Sequence, residues 1–241
     1  MNVALITGAN KGIGFETARL LGRRRMKVWL GARDVERGKE AEEKLAGEGI
    51  DGRFVHMDVT DPHSVVVAME AIAAEDRRLD VLVNNAGIVG DDGWSAPTEV
   101  TTESIRRVFE TNVFGAVTVT NAALPLLLRS SAGRIVNLSS PLGSLAIAAA
   151  GSNPAVDSQV RLLAYSSSKA ALNMVTLIYA RHLDGTPIKV NAVNPGYCAT
   201  DMNAFQGILS AAEGAAQVAM AATLPEDGPS GAFLGADPLT W

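Results

Sequence analysis

V-A-L-I-T-G-A-N-K-G-I-G, residues 3 to 14, is the stretch that decides the fold. Val3 to Thr7 form a short run suited to a strand, and Gly8, Gly12 and Gly14 follow at once. Glycines there let the backbone turn tightly and come close to a ligand, and the helical pattern that begins near residue 14 presents its free amides to the same place. Strand, turn and helix in this order make a site where helix amides face a pyrophosphate. The spacing differs from G-x-G-x-x-G, so the reading rests on that context and not on the glycines alone.

The same alternation continues outward. Apolar runs at 27 to 30, 53 to 57, 81 to 84, 134 to 139 and 188 to 194 are separated by helix candidates near 34 to 46, 62 to 75, 103 to 128 and 165 to 183. Most of the runs are apolar throughout, as strands are when helices cover both faces of their sheet. Asp61-Pro62 is a start signal for the third helix, since the carboxylate caps free amides and proline suits the first turn. The repeated order implies an α/β fold, a single-domain, Rossmann-like, doubly wound parallel sheet with its ligand site along the carboxyl ends of the strands. No repeat, linker or shift in composition divides the chain, so residues 1 to 241 read as one dinucleotide-binding and catalytic domain.

Composition narrows the function. The chain is 47% hydrophobic with a net charge of -5, and its one basic cluster, Arg23 to Arg25, sits at the end of the first helix candidate, where cations suit the carbonyl end of the dipole. Nucleic acid is not expected as a partner. The long apolar tract at 113 to 128 is broken by Gly115, Asn121 and Pro125, so no membrane span is expected. Cys198 is the single cysteine, and a strand-like run begins at Val3 in place of a signal segment, which fits a reducing, cytoplasmic setting. His56, His63 and His182 lack metal-ligand spacing, so no catalytic metal is expected, and Cys198 reads as a small buried residue near a pocket rim.

Two further stretches carry chemistry. The second strand is followed by Gly31, Ala32 and Arg33, where an NAD-specific site would place a carboxylate; an arginine there suits a 2'-phosphate, and Lys11 adds a second positive charge. Asp34 reads as the cap of the helix at 34 to 46, so NADP is favoured over NAD. In LLAYSSSKAALNMV, residues 162 to 175, Tyr165 and Lys169 stand four apart and share one helix face. An ammonium near a phenol favours the phenolate, which makes the group a better proton donor and acceptor at neutral pH.

Taken together these segments resemble the short-chain dehydrogenase/reductase family. TGANKGIG is similar to that family's cofactor loop, NNAG at 84 to 87 to the motif after its fourth strand, NLSS at 137 to 140 to its serine segment, YSSSK to its YxxxK and NPG at 194 to 196 to its PG turn. The spelling ANKGIG, the ARD after the second strand and PGYCATD resemble the NADPH-dependent carbonyl reductase branch. The resemblance implies Asn112, Ser140, Tyr165 and Lys169 as catalytic positions, with Ser140 chosen over Ser139 as the second serine of its pair. It implies that NADPH or NADP+ meets Gly8, Asn10, Lys11, Gly12, Ile13 and Gly14 in the first loop, and Arg33 after the second strand. Asp58 and Val59 would lie by the adenine, and Asn85, Ala86 and Gly87 by its ribose. Pro195, Gly196 and Thr200 would hold the nicotinamide end, with Tyr165 and Lys169 at its ribose.

The expected reaction is reduction of a ketone or aldehyde, with Tyr165 as general acid, Ser140 bonded to the same oxygen, Lys169 tuning the tyrosine and Asn112 holding a water on the proton path. A non-catalytic NADP-binding sensor on the same fold is the alternative, though it would be expected to lose one of those groups. A sugar-nucleotide epimerase or dehydratase would need a larger C-terminal domain. Trp94, the segment 141 to 164 and residues 197 to 209 would line the substrate pocket, and Leu142, Leu145, Ile147, Phe205 and Ile208 suit a hydrophobic carbonyl compound. The twenty-four residues from Pro141 to Ala164 exceed the family's common spacing. Monomeric carbonyl reductases carry a longer insertion there that covers helix faces used for assembly, so a monomer is favoured over an oligomer. The middle of that segment, 146 to 163, reads as a short helix or packed loop.

Overall fold

The computed structural model describes residues 1–150, 162–237 and 239–241. Its strands are β1 (Val3–Thr7), β2 (Lys27–Ala32), β3 (Gly52–His56), β4 (Val81–Asn84), β5 (Arg134–Leu138), β6 (Lys189–Val193) and β7 (Phe233–Leu234). They form one seven-stranded sheet in the order β3-β2-β1-β4-β5-β6-β7, and every pairing is parallel. All five residues of β1 are buried because the sheet is covered on both sides: Val3 and Leu5 enter one core, Ala4 and Ile6 the other.

The first core is closed by α3 (Pro62–Asp76), α5 (Gly115–Leu127) and α7 (Leu163–His182), the second by α1 (Gly12–Arg23), α2 (Val35–Gly47) and α8 (Ala211–Ala222). Side chains cap several helices: Asp34 accepts from Arg37 N–H at 3.1 Å, Asp61 from His63 N–H at 3.0 Å, Thr101 from Ser104 N–H at 3.1 Å ahead of α4 (Thr102–Phe109), and Ser210 from Glu213 N–H at 3.2 Å. No side chain caps α1, and its first turn holds no acid.

Several boundaries differ from the sequence reading. The single helix expected over 103 to 128 is two helices joined by a π turn, Glu110–Phe114, whose extra residue carries Asn112 inward to buried partners. Helix α7 starts at Leu163, two residues early. Helix α8 and β7 are not among the expected elements: α8 is alanine-rich with little apolar contrast, its start marked only by the capping box of Ser210 and Glu213, and β7 is two residues long. Of the segment between Ser140 and Tyr165, a 3-10 turn (Pro141–Gly143) and α6 (Leu145–Ala150) are helical, while 151–161 lies outside the described residues.

Candidate active site

The expected site residues gather at one end of the sheet, just beyond the carboxyl ends of β1 to β6. Gly8 and Gly12 take φ of +64° and +57°, which lets the loop after β1 double back into α1. At Gly14 a Cβ would lie 2.5 Å from Asn85 Nδ2 and 2.6 Å from the Gly8 carbonyl oxygen, so only glycine permits this packing. Asn85 pins the loop: its Nδ2 donates to the carbonyls of Thr7 at 2.8 Å and Gly8 at 3.1 Å. Asn10 and Ile13 are half-buried in the same loop, and Ile13 packs against the second core. Val59 and Ala86 pack into the first core, which leaves their backbones as what they offer a ligand.

Charge is distributed unevenly around that loop. Arg33 is exposed beyond β2, and its charge is felt at the carboxylate of Asp58. Burial raises the Asp58 pKa, but hydrogen bonds from Thr60 and the charges of Arg33 and His56 leave it below the ordinary range. Lys11 does not stand free beside Arg33 as the sequence suggested; it forms an ion pair with Asp201. Arg37, one helical turn after Arg33, is a further exposed cation in this region.

Lys169, Tyr165 and Ser140 lie deeper. Lys169 is 5% exposed, and its Nζ donates to the Leu138 carbonyl at 2.7 Å and lies 5.5 Å from the centre of the Tyr165 ring. Among the described residues no carboxylate pairs with it, and burial pushes its pKa down to about 8. Tyr165 is half-buried; burial pushes its phenol up to about 12, against the pull of a hydrogen bond with Ser140. The phenolate is therefore not favoured in this state, because desolvation outweighs the hydrogen bond with Ser140. Ser139 is turned away and donates to Asn173 Oδ1 at 2.5 Å, so the hydroxyl beside Tyr165 belongs to Ser140.

The positions of these groups are set by their surroundings. Asn112 Oδ1 accepts from Ile88 N–H at 2.8 Å, and its Nδ2 donates to the Ile88 carbonyl at 2.9 Å and to Ser168 Oγ at 3.0 Å. Ser168 stands between Tyr165 and Lys169 and donates to the Tyr165 carbonyl at 2.7 Å, so the π turn, the strand-end loop and α7 are tied at one point. Gly143 lets the turn after Ser140 lie on α7: a Cβ there would sit 2.6 Å from the Lys169 backbone carbon. Asn173 holds the same turn by donating to the Gly143 carbonyl at 3.1 Å. Asn173 sits four residues after Lys169, a helical spacing that the sequence displays but that marked nothing by itself.

Beyond β6, Pro195 and Gly196 border a cavity of about 230 Å³ with Asn194, Leu209, Glu213, Gln217 and Ala236, and none of Ser140, Tyr165 or Lys169 lines it. Thr200 places its methyl 3.7 Å from where a Cβ on Gly12 would be, which brings this segment to the glycine loop. Cys198 is buried with Sγ 3.4 Å from the Pro195 carbonyl oxygen; burial pushes its thiol pKa up. Trp94, Leu145, Phe205 and Ile208 are all exposed, on segments that leave the carboxyl ends of β4, β5 and β6.

The chain is 34% identical to a (+)-neomenthol dehydrogenase of Capsicum annuum, over 96% of this chain and 94% of the relative. It is also 34% identical to carbonyl reductase [NADPH] 1 of Mus musculus, over 96% and 95%. The solved structure of an NADPH-bound carbonyl reductase from chicken fatty liver superposes with a TM-score of 0.86 at 28% identity, covering 100% of both chains. Residues 2–207 match the family model described as short chain dehydrogenase, and with the strand order and the site geometry this shows that the chain belongs to the short-chain dehydrogenase family.

Proposed function

We propose that this chain is an NADPH-dependent reductase of hydrophobic ketones or aldehydes, with Tyr165 giving the proton. The observation that carries the reading is Lys169, a core-enclosed ammonium held by one carbonyl and set beside a tyrosine that is bonded to Ser140. A lysine with no acid to neutralise it is costly to bury, which is understandable when its charge serves chemistry.

The residues fit the cofactor. Helix α1 leaves its amides without a side-chain cap, which suits a pyrophosphate, while exposed Arg33 with Lys11 and Arg37 nearby suits a 2'-phosphate. The NADPH named for the mouse and chicken relatives supports the same choice. When bound, NADPH supplies the hydride that reduces the carbonyl carbon; the residues of this chain handle the charge that develops on oxygen.

With its pKa pushed up to about 12, Tyr165 carries its proton at neutral pH, which is the form a reductase needs. Its hydroxyl protonates the developing alkoxide as Ser140 donates to the same oxygen. Lys169, largely cationic below about 8, stabilises the phenolate that remains. Reprotonation has a place to start at Gly87, where a Cβ would lie 3.4 Å from Asn112 Oδ1 and 3.7 Å from Lys169 Nζ. The missing side chain leaves a polar gap there, and a water in it would accept a hydrogen bond from the Lys169 ammonium while donating to Asn112 Oδ1, so that a proton passed inward from Lys169 would be replaced through that water.

The exposed apolar side chains of Trp94, Leu145, Phe205 and Ile208 supply the hydrophobic surface a substrate would cover. We take the chain to act as a monomer; Phe114 on the π turn and Met174 and Ile178 on α7 are the exposed apolar residues an oligomer would use instead. The test of function is NADPH oxidation over a panel of quinones, terpenoid ketones, steroids and aldehydes. At least one hydrophobic carbonyl should be reduced, at least tenfold faster with NADPH than with NADH. A protein that binds NADPH and reduces none of them would overturn the reading.

A further inference from the structure

Near the glycine loop the protein already binds an anion of its own. Lys11, at the entrance to α1, pairs with Asp201, a residue 190 positions away in the segment beyond β6, and both side chains are 52% exposed. The hydrogen bond from Lys11 holds the Asp201 carboxyl below its ordinary range, with a smaller contribution from the charge of Arg37. Asp201 therefore pairs with one cation beside the loop and feels the charge of a second, and Thr200 next to it touches the space over Gly12. Asp34, a carboxylate beside Arg37, is committed to capping α2 and to Arg37 at 3.4 Å.

We infer that Asp201 is a built-in competitor for the 2'-phosphate of the cofactor, holding Lys11 in the free protein and giving it up when the phosphate arrives. The inference rests on the NADPH reading above and goes beyond it, since it assigns affinity control to a residue outside the phosphate-binding cations. The exchange is physically reasonable. A half-exposed Lys–Asp pair is weak, because water and salt screen it and two side chains must be ordered to make it. A phosphate brings more charge and more acceptor oxygens to the same ammonium. Asp201 therefore opposes NADPH by occupying Lys11, the ammonium that the phosphate must take from it. NADH, with no 2'-phosphate, leaves the Lys11–Asp201 pair in place.

Asp201→Asn and Asp201→Ala test this by isothermal titration with NADPH, NADH, 2',5'-ADP and 5'-AMP. Both variants should bind NADPH and 2',5'-ADP at least threefold more tightly than the unaltered protein, with NADH and 5'-AMP changed less than twofold. The gain should shrink in about 0.5 M salt and vanish in a Lys11→Met background, where no ammonium remains to be freed. If both variants bind NADPH more weakly, or equally, Asp201 orients Lys11 instead of competing for it and the inference fails while the cofactor reading stands. If the unaltered protein binds NADH as tightly as NADPH, and 5'-AMP as tightly as 2',5'-ADP, the cofactor reading fails and takes this inference with it.

Discussion

Two lysines are buried in this protein, one at each end of the same sheet, and their surroundings differ completely. Lys27 opens β2 at the amino end, with Glu75 and Asp76 on its ammonium and Trp29 Nε1 donating to Asp76 at 2.7 Å. Burial pulls its pKa down, yet those two acids outweigh it and leave the pKa raised. Other charges at that end are satisfied too: Asp80 accepts from Val3 N–H at 2.8 Å and Ser130 Oγ at 2.6 Å, and Arg134 donates to the carbonyls of Leu224, Pro225 and Pro187. Lys169 at the carboxyl end has one carbonyl and, among the described residues, no acid, and its pKa falls to about 8. One end of the sheet spends its polar groups on stability, and the other leaves them poised for a ligand.

Substitutions should separate these ends, and the largest effect is expected at Lys169. Lys169→Met should lower kcat/KM by at least ~100-fold, while raising stability by about 1–3 kcal/mol, because an uncompensated buried charge is removed. The sign follows from linkage: its folded pKa lies below the unfolded value, so its cost is fully present below about 8 and is relieved as pH rises from there toward 10.5. Melting curves at pH 7 and pH 10 would show the gain shrinking. In the unaltered protein kcat/KM should fall as pH rises through about 8, where Lys169 loses its charge while Tyr165, at about 12, keeps its proton.

Arg33→Asp should come next, raising the KM for NADPH by ~10- to 100-fold through loss of a charge-assisted bond and added repulsion, with the KM for NADH nearly unchanged. Steady-state kinetics with both cofactors check it. Gly143→Ala should follow: its Cβ would press on the Lys169 backbone at 2.6 Å, and relief by shifting the turn should cost ~10-fold in kcat and about 1–3 kcal/mol in stability. Lys27→Met should have the smallest effect on turnover, within about twofold per folded molecule, since it lies far from the reacting groups. Its loss should cost about 2 kcal/mol in urea unfolding at pH 7 by stranding Asp76 and Glu75. Because the folded pKa of Lys27 is raised, that contribution is full below 10.5 and fades as pH rises above it.

The parallel sheet was legible because most of its strands are buried on both faces, so their sequences are apolar with little alternation. Asp34 and Asp61 could be placed as caps because capping depends on local sequence alone. The π turn was not legible: its cause is Asn112 reaching Ile88 and Ser168, partners 24 and 56 residues away. The same holds for Lys11, whose charge suggested a phosphate ligand, while its partner Asp201 is brought in only by the return of the chain after β6. The pair Tyr165 and Lys169 could be read from spacing, but the direction of the tyrosine shift could not, since desolvation belongs to the folded surroundings.

The most direct test of the central claim compares Tyr165→Phe with the unaltered protein in two assays run side by side, NADPH binding by fluorescence titration and single-turnover reduction of the best carbonyl substrate. Removing one hydroxyl takes away the proton and little else, so the variant should bind NADPH within about twofold and lose at least ~100-fold in the chemical step. A variant that reduces the substrate within threefold of the unaltered rate would show that the proton comes from another group, and would contradict the account.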